Sequence, residues 1–244
     1  MHGAPVRLTA RSVVLSLLLG AHPASASPAE LLRLTAGFGI KETAMRVALT
    51  RMVAAGDLIR SVDGYGLSGR LLDRQRRQDA ALNPRTRPWR GDWLAVVITS
   101  IGSDARTRAA MRAELTDQRF AELREGIWMR PDNINIELGA DLVAYTRLLT
   151  ARDKQPAELV GKLWDLTGWS DTGHELLTAM ADAADVPGRF TVAAAMVRHL
   201  RRDPVLPPEL LPPDWPGERL RSRYADFADE LASRRDVGNE AEVP

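Results

Sequence analysis

The sequence predicts a mixed α+β protein built from several small domains, and three observations carry that prediction. Residues 38–70, FGIKETAMRVALTRMVAAGDLIRSVDGYGLSGR, join a stretch of helical spacing to a glycine stop and two short β-rich runs around Asp63-Gly64. The segment Asn83-Pro84-Arg85-Thr86-Arg87-Pro88-Trp89-Arg90-Gly91 breaks all periodicity with two prolines and a glycine, so it reads as a linker. Beyond it, strand-like apolar runs give way to helical spacing and then to a proline-rich stretch. At 244 residues, 45% hydrophobic and 27% charged, the chain can bury two or three small cores. It has no cysteine, which excludes disulfides and thiolate chemistry.

At the N-terminus, Arg7 and Arg11 precede Val13-Val14-Leu15-Ser16-Leu17-Leu18-Leu19, and Ala24-Ser25-Ala26 follows. Charge, apolar core and an A-x-A ending are the marks of a secretory leader, which would make this an exported binding protein. The next residues argue otherwise. Ser27 suits a helix N-cap, Pro28 the first helical position, and Leu31 and Leu32 a buried side. Cleavage after Ala26 would remove the partner of that helix and leave its core open. The stretch is therefore read as the first helix of a helix-turn-helix, and the chain as cytoplasmic.

The third helix ends at Gly56, a residue suited to a left-handed stop. At about 100° per residue, Ala44, Met45, Leu49 and Met52 cluster with Ala48 on a packing face, while Thr43, Arg46, Val47 and Thr50 fall opposite. Residues 58–62 suit a strand, Asp63-Gly64 a hairpin turn, and residues 65–68 the returning strand. Helix, strand, glycine turn and strand in this order read as the recognition helix and wing of a DNA-binding domain. Arg46 is expected at a base or phosphate, Thr43 and Thr50 at short polar contacts with Val47 between them, and Arg60 and Arg70 at phosphates flanking the wing. Arg51 lies nearer the packing face, where a structural ion pair is expected.

Charge sorts by position in the same sense. Of 33 basic and 32 acidic residues, the first 90 positions hold 14 and 6, leaving 19 and 26 for the remainder. A basic head on an acidic body supplies attraction to phosphate in one domain only. Only Lys41, Lys154 and Lys162 are lysines, so the arginine dominance itself is a composition bias.

Residues 71–82 read as a short amphipathic helix carrying Arg74, Arg76 and Arg77, which closes a first domain at 1–82 ahead of the linker at 83–91. In the domain at 92–155, residues 93–101, 123–129 and 142–149 read as strands and 105–116 as a helix with Ala109, Met111 and Leu115 inward, a small α+β sandwich. In the domain at 156–244, residues 159–166, 174–184, 191–202 and 218–234 have helical spacing. Between the last two, Pro, Leu and Trp interleave over 203–217 as a strap packed on a core, and the chain ends in an acidic tail.

No residue set reads as catalytic or metal-binding, and no cofactor is expected. His2, His22, His174 and His199 are scattered, and His174-Glu175 lacks a second ligand at helical spacing. Asp104 lies where a metal-dependent nuclease could hold a carboxylate, but a carboxylate directly before a helix is first of all an N-cap. Trp128, Tyr145, Trp164 and Trp169 could line an apolar pocket, with Arg147, Arg198 and Arg202 offering charge to phosphates.

Three pieces of the chain form motifs in a set order. The first is Phe38-Gly39-Ile40 leading to Arg46-x-Ala48-Leu49-Thr50-Arg51-Met52 and Gly56-x-Leu58. The second is Trp93 with Gly126-Ile127-Trp128-x-x-Pro131. The third is Arg202-Asp203-Pro204-x-Leu206-Pro207-x-Glu209-Leu210-Leu211-Pro212-x-x-Trp215-Pro216-Gly217. Together they resemble the phenylacetic acid catabolism repressor (PaaX-type) family of bacterial transcription factors, and the resemblance implies an N-terminal winged helix-turn-helix, a ferredoxin-like middle domain of the small CRISPR-associated nuclease type and a helical C-terminal domain. It further implies a homodimer on double-stranded operator DNA, repressing a catabolic operon and released by an acyl-CoA thioester such as phenylacetyl-CoA. The segment between Leu149 and Thr191 departs from the family pattern, which bears on the identity of that effector.

Overall fold

The computed structural model of the chain describes residues 8–99 and 104–236. His2, Arg7, the end of the expected 93–101 strand and the acidic tail lie outside the described residues. The described residues pack into two compact units: one holds 8–82, 173–201 and 218–236, the other 83–99, 104–172 and 202–217.

In the first unit, α1 (Ala10–Leu19) opens on a reciprocal capping box between Thr9 and Ser12. Its apolar run, the leader-like stretch of the sequence, is core: Val13, Val14, Leu18 and Leu19 are buried. The A-x-A sequence after it forms β1 (Ser25–Ala26). Helix α2 (Pro28–Ala36) starts as expected on Ser27, whose hydroxyl accepts the Glu30 N–H at 3.1 Å while the Glu30 carboxylate accepts the Ser27 N–H. Helix α3 (Glu42–Ala54) buries Met45, Leu49 and Met52 against Leu18 and Leu31, and Gly56 follows it with φ +70°. Then come β2 (Leu58–Arg60) and β3 (Tyr65–Leu67), which pair antiparallel, with β1 on the far side of β3. Gly64 in the turn is obligatory, because a Cβ there would lie 2.3 Å from the Ala26 carbonyl oxygen. Helix α4 (Gly69–Leu82) returns across α1, and its buried Gln75 amide donates to the carbonyls of Leu18, Leu19 and Ala21 at 2.8–3.3 Å. It thereby adds a donor to carbonyls at the end of α1, where helical partners run out.

The second unit is a four-stranded antiparallel sheet with the connection order strand, helix, strand, strand, helix, strand. Its members are β4 (Asp92–Ile98), α5 (Ala105–Asp117), β5 (Ala121–Arg124), β6 (Ile127–Pro131), α6 (Ala140–Ala144) and β7 (Thr146–Arg152), and the strands lie in the order β5-β6-β4-β7. Two sequence expectations change here. The apolar run 123–129 is not one strand: Gly126, at φ +79°, turns the chain between β5 and β6. The run 142–149 is not one strand either, because its first three residues close α6 and β7 begins at Thr146.

Alternation along β4 supplies two cores. Leu94 and Val96 face Met111, Leu115, Phe120, Trp128 and Leu142. Trp93 and Ala95 face Met129, Leu159, Val160 and Leu206. The second core is covered by α7 (Pro156–Leu163) and by the strap. The strap is irregular apart from a 3-10 turn at Pro208–Leu210, and it buries residues 203–207. Val205 adopts φ +52° there, fixed from both sides: its N–H donates to Asp203 at 2.8 Å and its carbonyl accepts from Asn133 at 3.0 Å.

Helix α8 (Leu166–Asp182) begins in the second unit and ends in the first. Helices α9 (Val186–Leu200) and α10 (Gly217–Asp236) belong almost wholly to the first. There Arg189 on α9 and Glu230 on α10 form a two-point ion pair at 2.7 and 2.9 Å. Arg221 on α10 donates to the Ala81 carbonyl of α4 at 3.2 Å. The C-terminal helices thus close over the N-terminal ones.

Candidate nucleic-acid interface

Helix α3 has one locked face and one open face. With Met45, Leu49 and Met52 fully buried, Thr43, Arg46, Val47 and Thr50 are exposed as the spacing requires. Ala44, expected on the packed side, is exposed as well, and so is Arg51, which makes no ion pair among the described residues. Both sit at the margin of the buried stripe, where a 100° step carries the side chain past the α1–α2 cover.

On the open face Arg46 pairs with Glu42 one turn earlier, and the Thr50 hydroxyl donates to the Arg46 carbonyl at 3.0 Å. Beside it, the β2–β3 ribbon exposes Arg60, more than half of Ile59 and all of Val62 at the tip. Val47 is half exposed too. Val47, Ile59 and Val62 thus leave apolar surface in water next to threonine and arginine, a combination able to meet thymine methyls and sugar edges. The sequence reading did not single out Ile59 or Val62. Their position out of register with the buried Leu58 and Leu67 is the signal that could have found them.

Arg70 is anchored. The carboxylate of Asp57, only 3% exposed, accepts from Arg70 at 2.6 Å and from Arg11 at 2.7 Å. The hydrogen bond from Arg11 does most to hold the Asp57 carboxyl below the usual range, and Arg70 adds to it against the cost of burial. One carboxylate therefore ties the start of α1, the start of the ribbon and the start of α4 together. Both guanidinium groups remain largely exposed, with further N–H donors to spend. Residues 46 and 13 positions away from Asp57 carry this clamp, so no local periodicity announces it.

The residues expected to line an effector pocket do not converge. Trp128 is buried in the first sheet core, with the Arg112 guanidinium 5.8 Å above its ring. Tyr145 and Arg147 are exposed at the start of β7, and Trp164 is half buried at the end of α7. Arg202 is exposed just after α9, and Arg198 lines a cavity in the first unit. Trp169 is stacked on Trp215 of the strap, with ring centroids 4.1 Å apart. Asp104 caps α5, accepting the Thr107 N–H at 2.7 Å.

Comparison with known proteins places these parts. Residues 9–71 match the family model of PaaX-like protein, residues 86–158 that of the PaaX protein central Cas2-like domain, and residues 167–237 that of the PaaX-like protein C-terminal domain. The Transcriptional repressor PaaX of Escherichia coli (strain K12) is 28% identical over 232 residues, covering 83% of this chain and 73% of that protein. A solved structure, the uncharacterized protein Rv0674 from Mycobacterium tuberculosis, is 66% identical and superposes with a TM-score of 0.85, covering 94% of this chain and 98% of the other. With three successive matches spanning most of its length, the chain belongs to the PaaX-like protein family.

Proposed function

We propose that this chain is a DNA-binding transcriptional regulator, a repressor whose residues 10–67 act as a winged helix-turn-helix. The observation that carries the reading is the open face of α3, where Thr43, Arg46, Val47 and Thr50 stand exposed beside the ribbon residues Ile59, Arg60 and Val62. Helix α3 enters the major groove of double-stranded DNA and the ribbon lies along the backbone. Arg46 exchanges Glu42 for a base edge or phosphate. Arg60 and the anchored Arg70 contact phosphates on either side, and Arg11 joins Arg70 because Asp57 fixes both. Such a protein works where the DNA is, in the cytoplasm, and no helix among the described residues is long and apolar enough to cross a membrane.

The working form is a homodimer on two related half-sites. One winged helix covers too little DNA for useful specificity, and pairing doubles the footprint. The free edge of the four-stranded sheet supports this: β7 carries Leu148 and Leu149, each about half exposed. An unpaired apolar edge strand invites an antiparallel partner of its own kind. Release from DNA is by an acyl-CoA thioester, the effector class named for this type of repressor.

The test is selection of duplexes from a random pool by the full chain, followed by affinity measurements on the selected DNA. Arg46→Ala is expected to lower affinity by 10-fold or more, about 1–3 kcal/mol, with an unchanged melting temperature. Selection that recovers no DNA, or full affinity in Arg46→Ala, would overturn the reading of α3.

A further inference from the structure

The first unit contains a cavity of about 440 Å³ that no part of the DNA-binding reading uses. It lies where α9 and α10 close over the N-terminal helices. Its walls are Leu31 and Leu34 of α2, Phe190 and Val197 of α9, and Phe227 and Leu231 of α10. The volume falls within the range of small-molecule sites, and these side chains give it an apolar floor. Its polar groups converge from three helices: Arg74 and Gln78 of α4, Arg198 and Arg201 of α9, and Tyr224 of α10, whose hydroxyl is 3.5 Å from the Gln78 amide.

Charge at this cavity is one-sided. Only Glu30 among the lining residues is acidic, and its carboxylate accepts the Ser27 N–H at the cap of α2. Arg74 and Arg198 make no ion pair among the described residues. Partial burial and the charges of Arg201, Arg11, Arg70 and Arg77 together push the Arg74 guanidinium below its ordinary value. Two guanidinium groups at one opening, neither of them paired with a carboxylate, leave room for an anion.

The cavity is also mechanically linked to α3. Phe190, buried in its wall, packs edge-on against Phe38, with ring centroids 4.9 Å apart. Phe38 lies in the turn that delivers the chain from α2 into α3. On α2 itself, Leu31 lines the cavity and packs in the core with Met45 of α3. A body seated against Phe190 and Leu31 presses on both supports of α3.

We infer that this cavity binds an amphipathic anion, with an acyl or aryl body among Leu31, Phe190, Val197 and Phe227 and its anionic group held by Arg74 and Arg198, and that occupancy is transmitted to α3 through Phe190 and Phe38. The transmission rests on the proposed role of α3 in DNA binding; the site does not. For DNA affinity to change, the ligand must favour one arrangement of α3 over the other.

Two fluorescent probes of one shape test the site in the full chain: 8-anilinonaphthalene-1-sulfonate, which is anionic, and N-phenyl-1-naphthylamine, which is neutral. The sulfonate is expected to bind one equivalent at least 10-fold more tightly than the amine. The double variant Arg74→Gln/Arg198→Gln removes that preference. Ala194→Trp, which fills the cavity from α9, abolishes binding of both, and Ala228→Trp does the same from α10 if the first variant fails to fold. Equal binding of the two probes by the native chain, or full binding in a folded cavity-filling variant, overturns the site. On selected DNA, saturating sulfonate is expected to lower affinity about 10-fold, and Phe38→Ala to retain the probe while losing that effect. Probe in the cavity with unchanged DNA affinity overturns the transmission and leaves the site. A chain that binds the probe in this pattern but selects no DNA overturns the regulator reading instead.

Discussion

Asp57 in the first unit and Arg130 in the second are both buried charged side chains, and the two are stabilised in opposite ways. Asp57 in the first unit is held by two full cations that themselves remain in water. Arg130 in the second unit has no exposed surface and is held by neutral dipoles: it donates to the carbonyls of Pro131 at 3.0 Å and Gln118 at 3.0 Å, and to the Asn133 amide oxygen at 2.8 Å. Burial, with the neighbouring Arg119, outweighs the nearby Asp132 and brings the Arg130 guanidinium down to about 9. Asp57 therefore anchors two cations at a surface, where salt, acid or a phosphate backbone can act on them. Arg130 is an internal brace, closed to all three, that joins the end of α5 to β6 and, through Asn133, to the strap.

The largest effect is expected from Arg130→Ala. It removes a buried side chain and takes a donor from each of three acceptors, of which only the Pro131 carbonyl keeps another, the Asn133 N–H, so a loss of about 3–5 kcal/mol is expected. Chemical denaturation followed by tryptophan fluorescence measures it, and the loss should be the same in low and high salt. A salt-dependent loss would mean that the brace is electrostatically coupled to the surface and that the contrast with Asp57 is false.

The contrast also explains what the sequence made legible. Features set by neighbours in the chain were readable: the Ser27 cap, the Gly56 stop, the turn at Asp63-Gly64 and the α3 faces each follow from a few adjacent residues. The β5–β6 hairpin was missed because Glu125-Gly126 lies inside an apolar run, and apolar periodicity outweighed a two-residue turn signal. The first residues of 142–149 were read as strand for the same reason: Leu142, Val143 and Ala144 are apolar but close a five-residue helix. Arg130 and Asp57 were invisible, since charged residues next to Met129 or Gly56 carry no mark of burial and their partners come from distant segments. The scattering of the effector candidates has the same cause. Tryptophan content shows that aromatic surface will be buried, but which tryptophans meet depends on how the strap and helices return.

Asp57→Asn probes the other half of the comparison. With one carboxylate charge gone, a loss of about 1–3 kcal/mol is expected at neutral pH. DNA affinity should fall with it, because Arg11 and Arg70 lose their common anchor. The pH dependence has a definite sign. The Asp57 carboxyl is held below its ordinary range in the folded state, so its contribution is complete above about pH 4 and disappears as the pH falls below that. Acid titration of stability should show a descending step in the wild type that is smaller in Asp57→Asn. Superimposable acid limbs would remove Asp57 from the account.

The smallest effect belongs to the exposed pair on α3, where Glu42 and Arg46 face water and each other. Surface pairs of this kind add at most about 0.5 kcal/mol, so Glu42→Gln should leave the melting temperature nearly unchanged. Affinity for selected DNA should move the other way and rise severalfold at low salt. The substitution frees the Arg46 guanidinium and removes a negative charge from the approach to the phosphates. The gain should fade as ionic strength rises and screens both terms. It should also shrink in an Arg46→Ala background, because the part of the gain that comes from releasing Arg46 has then lost its carrier. An undiminished gain in the double variant would show that Glu42 acts only by repelling DNA and that Arg46 makes no contact. The open face of α3 would then be read through Thr43, Val47 and Thr50 alone.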